Sequence, residues 1–196
     1  MTVPKPVTSV RRPWWRRLPA LTAQPPREIQ HACLERLLAL LETARTELSA
    51  GWVQGGWWAA TSSDDRTMVL TGLAAGVAGG PVIAVCLVGA LIRAGSGQGR
   101  DSETGRAIDA VYDALWESRG QPAATSWPAL LMVSSPPVRQ AKVQALTRWN
   151  DASERTCGEV LAVLDLTIAR VIHDMAAIPG PGRPVCQQSS PATRTI

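Results

Sequence analysis

The chain has 196 residues, 45% of them hydrophobic and 18% charged, with a formal net charge of +4. That composition is ordinary for a globular protein and supplies enough apolar material for one sizeable core. The charge is uneven: residues 1–27 carry six basic groups and no acid, residues 179–196 carry only Arg183 and Arg194, and residues 28–178 hold 12 basic and 16 acidic groups. A basic fold that grips a phosphate backbone is therefore disfavoured, whereas a basic arm is not.

Eight Trp stand beside one Tyr and no Phe, and only Lys5 and Lys142 among the 20 basic residues are lysines. We read this usage first as the codon bias of a GC-rich genome. Cys33, Cys86, Cys157 and Cys186 are widely spaced, with no Cys-x-x-Cys pair. They form neither a zinc nor a disulfide framework and are expected to be reduced thiols in a cytoplasmic protein. His31 and His173 lack the spacing of a transition-metal site, so no metal and no cofactor are expected.

Six of the 15 prolines lie in residues 1–27, and four more lie in 179–196. Both ends lack a hydrophobic period and are expected to be disordered. Between them, residues 28–178 are expected to form a single α-helical domain. Ile29, Cys33, Leu37, Leu38, Leu41, Ala44 and Leu48 predict a helix over 28–49, opened by Pro25-Pro26 and ended by Gly51. Residues 51–66 are turn-rich, with room for one short irregular β-hairpin.

Residues 67–92 carry no charge. Their length admits a membrane-associated segment as the minor alternative. Gly72, Gly76, Gly79, Gly80 and Pro81 break the run into two short apolar stretches, which favours buried core elements. The second, Val82 to Ala94, reads as a buried helix with Gly95 after it. Gly95 to Arg100 has Gly-x-Gly-x-Gly spacing, but no strand precedes it, so it reads as a linker rather than a phosphate loop.

A helix is predicted over 103–118, N-capped by Ser102, with Ala107, Ile108, Val111, Tyr112 and Leu115 on its apolar face and Gly120-Gln121-Pro122 as its stop. After a loop over 120–135, Ser135-Pro136 opens a helix to Trp149 whose apolar face is Val138, Ala141, Ala145, Leu146 and Trp149. The last helix spans 153–177, with Cys157, Val160, Leu161, Leu164, Ile168, Val171, Ile172 and Met175 in one arc. Asp151 with Glu154 and Thr156 with Glu159 both have capping-box spacing, so either can start it. The expected fold is mainly α: a compact bundle of about five helices with at most one short irregular β-hairpin.

Several pieces occur together: Gly51-Trp52-Val53-Gln54-Gly55, then Val85-Cys86-Leu87-Val88-Gly89-Ala90-Leu91, then Trp149-Asn150-Asp151 with Thr156 and Glu159-Val160-Leu161. The chain thereby resembles a small domain family of unknown function from actinobacteria and their phages, over roughly residues 30–172. The resemblance implies a compact, mostly helical, soluble domain with the Cys86 segment in a core helix. It implies no activity.

The binding candidates are Trp149, Asn150 and Asp151, with Trp52 and Gln54. Asn150 and Asp151 suit a ligand or partner contact at a helix corner, but both also suit helix capping, with Trp149 as the packing anchor. No catalytic residue is singled out. A Cys86 nucleophile would need an imidazole within reach, and nothing aims His31 or His173 at it. Asp109 and Asp113 stand one helical turn apart and could hold a cation; a solvated helix face is the simpler expectation. Arg11, Arg12, Trp14, Trp15, Arg16 and Arg17 combine phosphate-neutralising guanidiniums with stacking rings, which suits nucleic acid or an anionic membrane surface.

Three function classes follow. The favoured one is a non-enzymatic accessory or interaction domain with a protein partner. The second is a nucleic-acid-binding protein using the basic arm. The third is a small enzyme dependent on Cys86 or Asp151.

Overall fold

The computed structural model describes residues 26–62, 64, 66–71, 80–96, 101–121 and 133–178. Among these lie five helices: α1 (Arg27–Ala50), α2 (Leu87–Ser96), α3 (Asp101–Glu117), α4 (Pro136–Asn150) and α5 (Cys157–Ala177). A small antiparallel sheet accompanies them, built from β1 (Trp58–Thr61), β2 (Thr67–Leu70) and β3 (Val82–Val85) in the order β2-β1-β3. The chain is mainly α with a short β element, as its sequence leads one to expect. The expected arm over 1–27 and tail over 179–196 lie outside the described residues, apart from Pro26 and Arg27.

α1 is the central element and packs against α2, α3 and α5. Its stripe of Leu34, Leu37, Leu41, Ala44 and Leu48 is buried. The stripe meets Val88 and Leu91 of α2, Val111 of α3 and Val160 and Leu164 of α5 in one apolar cluster. Burying a side chain of this size stabilises the fold by about 1.5–3 kcal/mol before the entropy of ordering it is subtracted.

The sheet corrects two expectations. Val82–Val85 is a strand rather than the first turn of a helix: Val82, Ala84 and Val85 pair with β1, and the helix begins only at Leu87. Branched Val and Ile suit a pleated surface, and the open edge of β1 supplies the pairing. The hairpin is extended by this third strand, and β2, drawn from the uncharged stretch, has Met68 and Val69 exposed rather than buried. Residues 72–79 of that stretch lie outside the described residues. Among the described residues, no helix is long and apolar enough to cross a membrane.

Smaller corrections concern helix faces and ends. Gly95 lies inside α2, not after it, where a Cβ would collide with the Thr104 hydroxyl of α3. Ser102 lies inside α3 and donates to Glu103 at 2.7 Å rather than capping the helix. Ile29, Val138, Ala141 and Ile172 face solvent, because their helices are amphipathic over a narrower arc than the sequence period implies. Gly120, with φ of 76°, terminates α3 in the left-handed conformation that glycine tolerates. α5 starts at Thr156: its hydroxyl accepts from the Glu159 N–H at 3.3 Å, while the Glu159 carboxylate accepts from the Thr156 N–H at 2.9 Å. This reciprocal box holds the Glu159 carboxyl below its usual range, chiefly through the Thr156 N–H.

Candidate functional site

The structure brings four of the five binding candidates into one hydrogen-bonded corner. Asn150, the last residue of α4, is fully buried. Its Oδ1 accepts from the Trp52 indole N–H at 2.9 Å and from the Leu87 N–H at 3.2 Å. Its Nδ2 donates to the Val53 carbonyl at 3.2 Å and to Asp151 Oδ1 at 2.9 Å. A carboxamide can accept two hydrogen bonds and donate two, so all four places are filled.

Gln54 and Asp151 complete the corner. The Gln54 carboxamide donates to the Asn150 carbonyl at 2.9 Å, an oxygen that the end of α4 leaves without a helical partner, and to the Ala152 carbonyl at 2.8 Å, which also accepts from the Arg155 N–H. Asp151 Oδ1 also accepts from the Gly55 N–H at 3.1 Å. The loop after α1 is thereby stitched to the end of α4, and Asn150 holds the first N–H of α2. The capping role expected of these residues takes this long-range form. Asp151 follows α4 and its side chain reaches across to another loop.

Cys86 sits at the same junction. It is fully buried, and its Sγ accepts from the Gly89 N–H at 3.3 Å in the manner of a helix N-cap. Burial pushes its thiol up to about 11. A thiol at that value is protonated at neutral pH and makes a poor nucleophile. His31 and His173 are exposed on α1 and α5, and His31 lies 3.2 Å from Glu35. Gly89 supports the junction by its size, since a Cβ there would collide with the Trp57 carbonyl oxygen.

The aspartate pair on α3 is not a solvated face. Asp109 and Asp113 are both buried, and the ammonium of Lys142 on α4 lies 2.9 Å from Asp109 and 3.8 Å from Asp113. Asp109 also accepts from the Ser134 N–H at 2.9 Å, and Tyr112 lies under the lysine, 5.2 Å from ring centre to nitrogen. Burial raises the Asp113 carboxyl above its usual range, against the pull of Lys142 and Arg170. The cation this pair holds is the chain's own lysine. Lys142 was legible as an anomaly, being the one lysine of residues 28–178 in an arginine-rich chain. An ammonium is compact and needs fewer partners than the planar guanidinium fork, which suits a small buried niche.

Trp149, the fifth candidate, takes no side-chain part in the Asn150 hydrogen bonds and is buried in the apolar cluster, the packing position expected of it. It floors an open groove between the ends of α3 and α4 and the start of α5. Arg155 stacks over its ring at 4.5 Å and pairs with Glu159 at 2.8 Å. On one side of Arg155 the groove has a volume of about 340 Å³ and is lined by Leu115, Arg119, Val163 and Leu166 among others. On the other side it opens into about 470 Å³ lined by Trp116, Arg119, Ala145, Arg148 and Glu154 among others. Arg119 stacks on Trp116 at 5.2 Å, and Leu166 is an exposed apolar residue at the rim. Sequence reasoning missed Arg119, Arg148 and Arg155, because isolated arginines in the turn after α3, in the last turn of α4 and in the α4–α5 loop leave no local pattern.

Arg11, Arg12, Trp14, Trp15, Arg16 and Arg17 lie outside the described residues. Among the described residues, no group of three or more His, Cys, Asp or Glu side chains is placed to hold a metal ion.

A family model described as a family of unknown function, DUF6197, matches residues 32–170. The chain belongs to DUF6197. The matched span takes in most of α1, the sheet, the Asn150 corner, the Lys142 cluster and most of α5. No curated protein and no solved structure matches the chain.

Proposed function

We propose that this DUF6197 domain is a non-enzymatic interaction module that binds a protein partner through the Trp149–Arg155 groove. The observation that carries the reading is the contrast at the corner. Asn150, Gln54 and Asp151 hold hydrogen bonds inside the fold, while Arg119 and Arg148 stand exposed at an open groove floored by Trp149, itself buried beneath Arg155. Trp and Arg are the residue types that most often anchor protein contacts, because each buries a large area and makes directed polar contacts. The chemistry an enzyme would need is engaged elsewhere: the Cys86 thiol caps α2 from a buried position, and the aspartate pair holds Lys142. Unpaired Cys33 and Cys86 fit a cytoplasmic location.

A photo-crosslinking amino acid placed at Ser118 or Ala162 on the groove, against Glu42 on the outer face of α1, tests this in the native host. Protein adducts at the groove positions and none at position 42 are expected. Adducts at position 42 alone, or no adduct anywhere, would overturn the reading.

The charge separation in the sequence supports a second reading, in which residues 11–17 bind nucleic acid or an anionic membrane. Nucleic-acid retention that persists unchanged after deletion of residues 1–27 would end it.

A further inference from the structure

Resting on the groove as the partner-binding face, we propose that its occupant is an acidic peptide segment carrying one apolar anchor residue. Among the described residues, Arg119 and Arg148 make no ion pair, and both are exposed at the groove. Arg155, by contrast, is committed to Trp149 and Glu159, so it shapes the floor rather than recruiting charge. Leu115, Val163 and Leu166 give the smaller compartment an apolar wall. About 340 Å³ of space accommodates one large aliphatic or aromatic side chain with its backbone, not a folded surface. An anchor seated there would have its flanking residues level with Arg119 and Arg148, where carboxylates complete the charge.

The groove favours a peptide over nucleic acid. Glu154 and Glu159 stand on its walls. A continuous run of phosphates would meet those negative groups at every step, whereas a peptide can place its few carboxylates against the two arginines alone. Arg119 and Arg148 also stand near helix C-termini, where cations offset the helix dipole. A dipole role alone predicts that reversing their charge changes stability and leaves peptide preference untouched.

The test is selection of a displayed library of random 12-residue peptides on the full chain and on its R119E/R148E variant. Affinities of the enriched peptides are then measured by fluorescence anisotropy, with a 12-nucleotide thymidine strand as competitor. The wild-type chain is expected to enrich peptides with Asp or Glu flanking one large apolar residue. Those peptides should lose at least about tenfold in affinity for R119E/R148E, which should prefer Lys or Arg flanks instead. Circular dichroism of the variant should match that of the wild type. Enrichment without acidic bias, equal affinity for both chains, or displacement by the thymidine strand would each overturn the proposal. Protein crosslinks at Ser118 and Ala162 would in that case still support the groove as a contact face with a different partner chemistry. Absent crosslinks would remove both readings.

Discussion

The two sides of the α4–α5 corner differ in how much of their polar capacity the fold already uses. On the Asn150 side, every donor and acceptor of one carboxamide is matched, and three separate chain segments meet there. On the Trp149 side, exposed arginines and an apolar floor face an open groove. Two adjacent residues thus serve different sides: Asn150 closes the junction, and the buried Trp149 forms the floor of the open side beneath Arg155. A polar residue at a conspicuous corner is no guide to function until its hydrogen bonds are counted.

The largest effect should come from breaking the closed side. Asn150→Ala orphans the Trp52 indole N–H, the Leu87 N–H and the Val53 carbonyl, at about 1–3 kcal/mol for each buried group left unpaired. Urea denaturation should show a loss of about 5 kcal/mol; a loss under about 1 kcal/mol would mean that the network is incidental. Lys142→Met should come next, because it removes the ammonium that lies 2.9 Å from Asp109 and 3.8 Å from Asp113 and leaves two buried carboxyls short of countercharge, at about 3–5 kcal/mol.

Asp113 gives the comparison a pH dependence. Its carboxyl titrates above its unfolded value in the fold, so the folded state binds the extra proton. That contribution is fully present below the unfolded value and is lost as pH rises through the raised one. Asp113→Asn should therefore be more stable than the wild type at pH 7, with the advantage shrinking toward pH 4. Lys142, Arg170, Asp109 and Glu117 all act on this carboxyl, so the profile should be followed in 0.1 M salt or above. Glu103 has the opposite sign, lowered chiefly by the Ser102 hydroxyl, and Glu103→Gln should cost stability at pH 7 and less as pH falls. An Asp113→Asn chain less stable than the wild type throughout would show that the carboxylate is fully compensated by its neighbours.

Smaller effects sharpen the account. Thr156→Ala removes the N-cap of α5 and should cost about 1 kcal/mol. In a thiol-modification time course on the folded chain, Cys157, which is half-exposed, should react well before Cys86. Early modification of Cys86 would revive a chemical role for it.

The helical part of the fold was readable because α1 and α5 repeat apolar residues on one face for 24 and 21 residues, long enough for the period to be unambiguous. The strands were readable only in part: the turn-rich 51–66 stretch left room for a hairpin and β1 falls within it, but four-residue apolar segments fit a strand and a helix turn equally well. β3 was absorbed into the helix that follows it. The corner residues Trp52, Gln54, Asn150 and Asp151 stood out singly, but their pairing spans 96 to 98 positions of sequence and no local rule joins them. The Asp109–Asp113 spacing was visible, whereas its burial depends on Lys142 arriving from another helix.

The contrast between a closed and an open side is most directly tested by nuclear magnetic resonance of the ¹⁵N-labelled full chain during titration with a selected peptide. The backbone signals of Arg119, Ala162 and Leu166 should move together and saturate, while the Trp52 indole, the Gln54 side-chain amide and the Asn150 amide stay in place. Shifts confined to Trp52, Gln54 and Asn150, with the groove signals unmoved, would contradict the account.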